Sequence, residues 1–321
     1  MNNKSWPAGI EKISYPSSID HSLQNSMFYN PGGRKMPLLI ALHTWSAGYN
    51  QPNCEYAEWC VAKGWAFMHP DFRGFNDKPE ATGSDLVVAD IVSAVEYARG
   101  VADIDPERIY LMGCSGGGYA SLLLAGRHPE IWAGVSAWVP IFDLAMWHRD
   151  CTVRGNGYDK HMELSCGGAP GSGAAVDAEY RRRSARTWLA NAKNVPLDIN
   201  AGIVDGHRGS VPIRHTLNAY NLLAAPADRV AEADIEYMTA KAEVPAALRD
   251  PVLNDSLYGQ MPPLFRKISG DVRVTIFDGG HSVVYPAGLA WLEQQRKGKP
   301  AVWQIEATEV LSGSEGAEVA R

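Results

Sequence analysis

The stretch RIYLMGCSGGGYASLLLAG, residues 108–126, decides the fold. Its opening RIYLM predicts a buried strand, and the Ala/Leu-rich run from Gly117 to Arg127 predicts a helix. Between them lies a G-x-S-x-G pattern, residues 113–117, with Ser115 at its centre. In a strand–turn–helix setting this pattern predicts a nucleophilic serine on a tight turn, because glycines two residues before and after it avoid a steric collision.

Strands and helices alternate on both sides of this turn. Short apolar runs predict strands at residues 24–29, 37–43, 65–69, 108–112, 133–139, 196–204 and 271–277. Helical periodicity predicts helices at residues 53–63, 85–99, 117–127, 211–223 and 287–296. Because strands joined through helices run parallel in one sheet, we expect an α/β fold, a doubly wound and mostly parallel sheet with helices on both faces.

Two segments interrupt the alternation within what we expect to be a single domain, residues 1–321. Residues 142–194 are rich in Gly, polar groups and Arg, and they predict a lid insertion with one helix near 178–191. Residues 224–267 predict a second, mostly helical excursion. The small and polar residues 308–321 predict a flexible tail.

Composition excludes several classes of protein. Hydrophobic residues make up 45% and charged residues 21% of the chain, as in folded globular proteins. A net charge of −6 argues against a nucleic-acid surface, which usually needs a basic patch. No apolar run approaches the roughly 18–20 residues that cross a bilayer. Because the first residues lack a signal-peptide core, we expect a soluble and cytoplasmic chain, or a secreted or periplasmic one if a leader was removed.

The five cysteines are too few for a disulfide scaffold and show no zinc-site spacing. Cys151 and Cys166 flank a Gly-rich loop, so a disulfide between them and a pair of free thiols both stay open. We expect no metal and no organic cofactor.

A serine hydroxyl is a poor nucleophile at neutral pH, so it needs a base and an acid that orients the base. His281 follows the last predicted strand in FDGGH, where two glycines let the chain turn the ring over the sheet, and it is the expected base. Asp205 follows the preceding strand, and it is the expected acid. Asp143 is the alternative acid, although its place in IFDLAMW favours a helix cap.

An oxyanion hole needs two N–H donors at the point where negative charge develops. The backbone of Gly116, directly after the serine, is the first expected donor. The second should come from the loop after the central strand, where Trp45 is the candidate. Cys114 is an alternative nucleophile, but the alternation of side chains along a strand directs it into the packing beneath the turn.

These residues resemble the α/β-hydrolases. More narrowly, they resemble the catalytic domain of prolyl oligopeptidase-like serine hydrolases, which include acylaminoacyl peptidases and related esterases. The motifs that carry this resemblance are Pro70-Asp71-Phe72-Arg73-Gly74, Asp90, Asp105-Pro106-Glu107-Arg108-Ile109, the turn at 113–119, and Asp205 with Val211-Pro212 downstream. The resemblance implies a Ser-His-Asp triad and an acyl-enzyme intermediate.

Two features depart from that family. It has His-Gly-Gly after the central strand, whereas this chain has His43-Thr44-Trp45, which brings a bulky side chain into the oxyanion loop. Peptidases of the group also carry an N-terminal propeller that filters peptides, and the residues before the first core strand are too few to form one. We therefore expect a small substrate rather than an oligopeptide.

The sequence thus predicts a serine hydrolase, most simply a carboxylesterase that acts on a small or carbohydrate-linked ester. The carbohydrate expectation rests on the ten tryptophans, whose faces can stack on sugar rings. A prolyl oligopeptidase-like peptidase that acts on short peptides or acylaminoacyl substrates is the alternative. A non-catalytic binding module is disfavoured, because all three triad positions are filled.

Four further residues are candidate substrate contacts. Tyr119 follows the nucleophile turn, and Trp147 leads into the expected lid. His207 and Arg208 follow the expected acid, where the guanidinium of Arg208 could bind a carboxylate. The three arginines at 181–183 are expected to form an exposed helix face instead.

Overall fold

The computed structural model describes residues 5–305, in which nine strands form one sheet, and the expected tail at 308–321 lies outside this range. The strands are β1 (Glu11–Pro16), β2 (Leu23–Tyr29), β3 (Met36–Leu42), β4 (Ala66–Pro70), β5 (Ile104–Cys114), β6 (Gly134–Trp138), β7 (Leu197–Gly202), β8 (Pro263–Ser269) and β9 (Val272–Phe277). Their order across the sheet is β1–β2–β4–β3–β5–β6–β7–β9–β8.

The same range contains ten α-helices. They are α1 (Cys54–Lys63), α2 (Asp85–Val101), α3 (Gly116–Arg127), α4 (Leu144–Arg154), α5 (Tyr158–Cys166), α6 (Ala174–Arg183), α7 (Ala185–Trp188), α8 (Arg214–Leu223), α9 (Glu232–Lys241) and α10 (Tyr285–Gln294). Short 3₁₀ helices lie at Leu189–Asn191, Pro226–Asp228, Ala246–Leu248 and Ser256–Tyr258.

The centre of the sheet is parallel and its margins are antiparallel. The pairs β4–β3, β3–β5, β5–β6, β6–β7 and β7–β9 run parallel. The pairs β1–β2, β2–β4 and β8–β9 run antiparallel. The carboxyl ends of the six parallel strands therefore meet at one edge, where ligands bind in sheets of this kind. The predicted mostly parallel α/β architecture is confirmed.

Strand β3 shows how the sequence builds this sheet. All seven of its residues are buried. Leu38 and Ile40 contribute to the core shared with α2, α3 and α8, and Leu39 and Ala41 contribute to the core shared with α1 and α10. A strand that is apolar on both faces suits a central position covered by helices on both sides.

The two edge strands, β1 and β8, are not predicted from the sequence. Strand β8 closes the segment 224–267, so this segment combines α9 and 3₁₀ helices with a strand rather than being mostly helical. In β8, Phe265 is buried whereas Ile268 is 43% exposed. An edge strand has less of its surface covered by the core, which weakens the hydrophobic alternation that a prediction needs.

Segment 142–194 folds into helices α4 to α7 and a 3₁₀ turn between β6 and β7. The single helix expected near 178–191 is two, because Ser184 is extended (φ −74°, ψ 135°) between α6 and α7. Since β6 runs parallel to β5, the segment leaves the sheet at the edge that carries Ser115.

The expectation of an exposed arginine face is wrong for Arg183, which is 4% exposed. Its guanidinium donates to the carbonyl of Ala81 at 2.7 Å and to that of Pro79 at 2.9 Å. It also forms an ion pair with Glu179. Arg181 is exposed, as expected. Segment 142–194 is therefore tied to the loop before α2 by a buried cation.

Cys151 and Cys166 are both free thiols in the structure, so no disulfide joins them. Burial raises the pKa of both thiols to about 12, which keeps them protonated. Within residues 5–305, the helices lack the combined length and apolar character needed to span a membrane.

Candidate active site

Ser115 lies on a strained turn between β5 and α3. Its backbone has φ 58° and ψ −117°, a conformation that residues with a side chain rarely adopt. Its N–H donates to the carbonyl of Trp138 at 2.9 Å, which ties the turn to β6. A Cβ added at Gly113 would lie 2.9 Å from the Cα of Gly117, so the strand and the helix approach too closely for a larger residue.

Asp205 and His281 form a hydrogen-bonded pair beyond the ends of β7 and β9. Nδ1 of His281 donates to Oδ2 of Asp205 at 2.8 Å. The other carboxylate oxygen accepts from the N–H groups of Gly206 at 2.8 Å and Val211 at 3.2 Å. Because a carboxylate only accepts, Nδ1 carries the proton and the Nε2 lone pair of a neutral imidazole is available.

The Nε2 atom of His281 does not form a hydrogen bond to Ser115 in the described chain. Its neighbour is the hydroxyl of Ser210, with Oγ at 3.5 Å. Ser115 is itself 8% exposed. Hydrogen bonds between catalytic groups are often long before substrate binds, so this geometry is compatible with proton transfer from Ser115.

Sequence reasoning missed Gly209, which packs against the Asp205–His281 pair. A Cβ at this position would lie 2.6 Å from the Cβ of His281 and would overlap the Oδ1 atom of Asp205. The need for glycine comes from a contact between two loops that are far apart in sequence. Its only local signal is its place in the run DGHRGSV, where turn composition is common.

The two expected oxyanion donors lie side by side. A Cβ on Gly116 would sit 2.5 Å from the Cα of Trp45, so the two backbones are in contact. Gly116 is the first residue of α3, whose N–H has no partner within the helix. The carbonyl of Trp45 accepts from the side chain of Asn76 at 3.0 Å and from its N–H at 3.1 Å, which fixes the loop.

His43 braces the same loop rather than reacting. Its ring stacks on Phe72, with centroids 3.8 Å apart. Its Nδ1 lies 2.8 Å from the carbonyl of Thr44, and its Nε2 lies 2.6 Å from the carbonyl of Asp71. Both ring nitrogens are therefore engaged with the backbone on either side of the oxyanion loop.

Aromatic side chains join the oxyanion loop to segment 142–194. Trp45 and Trp147 meet edge to face with centroids 4.7 Å apart, and Trp147 stacks on Tyr158 at 5.2 Å. Nε1 of Trp147 donates to the carbonyl of Ser210 at 2.9 Å. Nε1 of Trp45 is buried without a hydrogen-bond partner in the described chain. The proposed lid thus contacts both the oxyanion loop and the loop that follows Asp205.

The remaining candidate substrate contacts differ in availability. Tyr119 is 1% exposed and its hydroxyl donates to the carbonyl of Arg183 at 2.7 Å, which contradicts its assignment as a substrate contact. Nε2 of His207 is engaged with the carbonyl of Thr239 at 2.8 Å. Arg208 is exposed, and its guanidinium has no described partner. Arg208 therefore stays a candidate, and Tyr119 becomes a packing residue. Trp147, which is also 1% exposed and donates to the carbonyl of Ser210, is corrected to a packing residue in the same way.

The alternative acid, Asp143, has a structural role. Its Oδ1 caps α4 by accepting from the N–H of Met146 at 3.0 Å, and its Oδ2 accepts from Arg186 at 2.8 Å. Burial opposes ionisation of Asp143, but these bonds outweigh it and hold its pKa below the usual value. The structure therefore favours Asp205 as the partner of His281.

The alternative nucleophile, Cys114, is held as a neutral thiol. Burial, with a smaller contribution from the charge of Asp205, raises the pKa of Cys114 to about 12. Because the thiolate is the reactive form of cysteine, this environment suppresses its nucleophilicity.

The described residues contain one group with the composition of a metal site, His148, Asp159 and Glu163. Lys160 lies 3.0 Å from Glu163 and 3.7 Å from Asp159, and His148 lies 3.0 Å from Glu163. The ammonium group therefore balances the charge that a cation would otherwise neutralise.

Comparison with known proteins agrees with this architecture. A model of the prolyl oligopeptidase family matches residues 56–238, a range that includes Ser115 and Asp205 and ends before His281. Protein YfhR of Salmonella typhi, which is itself uncharacterised, is 24% identical over 245 residues, 73% of this chain and 76% of YfhR.

Two solved structures share the fold. Acylaminoacyl peptidase of Pyrococcus horikoshii superposes on 94% of this chain and 44% of its own, with a TM-score of 0.63 and 18% identity. Prolyl oligopeptidase B of Galerina marginata superposes on 66% of this chain and 31% of its own, with a TM-score of 0.54 and 15% identity. This chain thus spans less than half the length of either peptidase. Together with the family match, the shared fold confirms the resemblance inferred above: the chain belongs to the prolyl oligopeptidase family and has the α/β-hydrolase fold.

Proposed function

We propose that this protein is a serine hydrolase in which Ser115 is the nucleophile, His281 the general base and Asp205 the residue that orients the base. The observation that carries the proposal is the 2.8 Å bond between Nδ1 of His281 and the buried carboxylate of Asp205, at the sheet edge where the Ser115 turn ends β5. This bond leaves Nε2 free to accept a proton.

The mechanism follows from these roles. Nε2 of His281 takes the proton of Ser115 as its Oγ attacks the acyl carbon of the substrate. The N–H groups of Gly116 and Trp45 stabilise the oxyanion, and each such donor typically lowers the barrier by about 3 kcal/mol. The imidazolium returns its proton to the leaving group, which yields an acyl-enzyme. A water molecule, deprotonated by the same nitrogen, then releases the acid and frees Ser115.

A small ester, a class that includes esterified carbohydrates, is the substrate that we favour. The supporting observation is the packing of Trp147 and Tyr158 against Trp45, which places segment 142–194 directly beside the expected second oxyanion donor. Short peptides or acylaminoacyl groups are the second candidate, supported by the peptidases that share the fold. Ester hydrolysis also demands less proton donation to the leaving group.

A substrate panel distinguishes the two classes. We expect p-nitrophenyl esters of short acyl chains to be turned over faster than aminoacyl p-nitroanilides, measured as kcat/KM at neutral pH. Faster anilide turnover would assign the enzyme to the peptidases and contradict the ester preference.

The nucleophile is tested by Ser115→Ala, with Cys114→Ala as its matched control on the same turn. Loss of Ser115 should lower kcat by about 10⁴–10⁶-fold. Loss of Cys114 should leave kcat within a few-fold, since its thiol is neutral. Turnover that survives in the first variant and disappears in the second would reverse the assignment.

A further inference from the structure

Ser210 lies where the acid loop, residues 205–211, meets His281. Its Oγ is 3.5 Å from Nε2 of His281, the nitrogen that would take the proton of Ser115. A neutral imidazole whose Nδ1–H donates to Asp205 has a single acceptor lone pair, at Nε2. In the proposed mechanism the hydroxyl of Ser115 needs this same lone pair, so a hydrogen bond from Ser210 would exclude it.

Helix α4 holds Ser210 in this place through two bonds to the acid loop. Nε1 of Trp147 donates to the carbonyl of Ser210 at 2.9 Å. Nη1 of Arg154 donates to the carbonyl of Gly209 at 3.2 Å. Seven residues separate Trp147 from Arg154, which places both on one face of the helix. The backbone that carries the Ser210 side chain is thus tied to segment 142–194.

Trp147 also touches the oxyanion loop. Its ring is 1% exposed and meets the ring of Trp45 edge to face at 4.7 Å. One side chain of α4 therefore contacts the loop that carries the second oxyanion donor and the loop that carries the acid. A displacement of Trp147 would be transmitted to Ser210 through the bond to its carbonyl.

We propose that Ser210 is a positioning residue whose hydroxyl competes with Ser115 for Nε2 of His281, and that Trp147 holds it in place. The proposal rests on the function proposed above, in which His281 is the base for Ser115. Its consequence is a resting site in which part of the imidazole population is bonded to Ser210 and unavailable for catalysis.

The direct test is Ser210→Ala, read by ¹⁵N NMR of the histidine rings in the full chain. Nine histidines are present, and the His281 signals are assigned by their absence in His281→Gln. Loss of the donor at Nε2 should move its ¹⁵N resonance downfield. The kcat/KM for a p-nitrophenyl ester should rise about threefold, because a hydrogen bond between uncharged groups makes a modest net contribution.

Ser282→Ala is the matched control for this change. Ser282 adjoins His281 in the chain, and its hydroxyl has no hydrogen-bond partner in the described chain. Its loss should leave both the His281 signals and kcat/KM unchanged. If Ser282→Ala changed the His281 signals and kcat/KM as much as Ser210→Ala, removal of any hydroxyl near the ring would produce the effect. This result would overturn the assignment to Ser210.

The role of Trp147 is tested by Trp147→Phe, which keeps an aromatic ring and removes the bond to Ser210. The Nε2 signal should move in the same direction as in Ser210→Ala, and the double variant should show no additional shift. Trp132→Phe is the control, because Nε1 of Trp132 donates to the carbonyl of Leu124 at 3.2 Å, outside the candidate site. It should leave the His281 signals in place.

The outcomes separate this proposal from the proposed function. An unchanged Nε2 signal in folded Ser210→Ala, or a fall in its kcat/KM, overturns the competition. The NMR measurement can be repeated in the Ser115→Ala background, where no turnover is needed. If Ser115→Ala retained normal turnover, the proposed function would fail, while the Nε2 signal would still show whether Ser210 bonds to His281.

Discussion

Two glycine-rich stretches of this protein use glycine for opposite reasons. In the turn after β5, a Cβ on Gly117 would lie 2.9 Å from the carbonyl oxygen of His43, and closer still to that of Leu42. In the loop between α5 and α6, a Cβ on Gly171 or Gly173 would meet nothing within 4 Å. The first stretch is glycine because two backbones touch there, whereas in the second only the positive φ of Gly171 (87°) favours glycine.

The contrast extends to the regions that contain these stretches. The turn lies on strands whose ends are fixed by the sheet, so sequence patterns predict its chemistry. Segment 142–194 is held by long-range side-chain bonds, such as those of Arg183, and its composition resembles that of a loop although most of it is helical. Glycine-rich composition therefore reflects close backbone packing in the turn after β5 and an uncrowded loop in segment 142–194.

The largest expected difference between the regions is in kcat, and it separates substitutions of the two aspartates that follow strands, Asp205 and Asp143. Asp205→Asn should lower kcat by about 10⁴-fold, because the amide no longer selects the tautomer in which Nε2 accepts a proton. Asp143→Asn should change kcat by less than a few-fold, since asparagine still caps α4. Steady-state kinetics on one ester compares them, and a large loss in Asp143→Asn would contradict the contrast.

A difference in stability is expected between the two kinds of glycine. Gly117→Ala should lower the free energy of unfolding by about 3 kcal/mol, because its Cβ would overlap the backbone at the end of β3. Gly173→Ala should change it by less than about 0.5 kcal/mol, since Gly173 is extended (φ 167°) and faces open space. Denaturant unfolding measures both, and equal destabilisation would remove the proposed distinction.

The attachment of segment 142–194 is tested at two neighbouring arginines. Arg183→Met should cost about 2–3 kcal/mol, because it leaves the buried carbonyls of Pro79 and Ala81 without their donor. Arg181→Met removes an exposed guanidinium and should have almost no effect. Thermal unfolding of both variants checks this, and comparable losses would show that the segment does not depend on the buried cation.

Acid should lower the free energy of unfolding, because two buried histidines, one in the sheet and one beside segment 142–194, are neutral in the folded protein. Burial lowers the pKa of His69 and of His215 to about 3 in the folded state. In each ring one nitrogen already accepts a hydrogen bond, from the side chain of Asn53 or from the N–H of Phe142, and protonation would remove that bond. Because the unfolded chain binds these protons more readily, their contribution is complete above about pH 6.5 and is lost as the pH falls toward 3.

The pH effect can be assigned to one region with His215→Asn, which removes the group beside the start of segment 142–194. Between pH 6.5 and 5 the wild type should lose about 1.6 kcal/mol through this histidine, because the slope rises from about 0.7 kcal/mol per pH unit at pH 6.5 towards its limit of about 1.4. The difference in free energy of unfolding between wild type and variant, measured with urea, should decrease by that amount between the two pH values. A gap that is constant with pH would show that His215 does not remain neutral in the folded protein.

The sequence predicts the parallel sheet. It also predicts that Ser115, Asp205 and His281 lie at one edge, because each follows an apolar run that is recognisable as a strand. It does not predict Gly209 or Ser210, whose importance arises only when the acid loop folds against His281. The edge strands β1 and β8 escape prediction because only part of their surface is buried. The burial of Arg183 is not predicted either, because the carbonyls that accept its hydrogen bonds lie about a hundred residues away in the sequence.

The proposed catalysis depends most on the imidazole of His281 activating the hydroxyl of Ser115. Labelling of the intact protein with a fluorophosphonate, followed by mass spectrometry of its peptides, measures this activation without a known substrate. We predict one adduct on Ser115, slowed at least about 100-fold in His281→Gln and unchanged in His128→Gln, which alters a half-buried histidine paired with Glu130. Undiminished labelling of Ser115 in His281→Gln, or an adduct on Cys114 instead, would contradict the account.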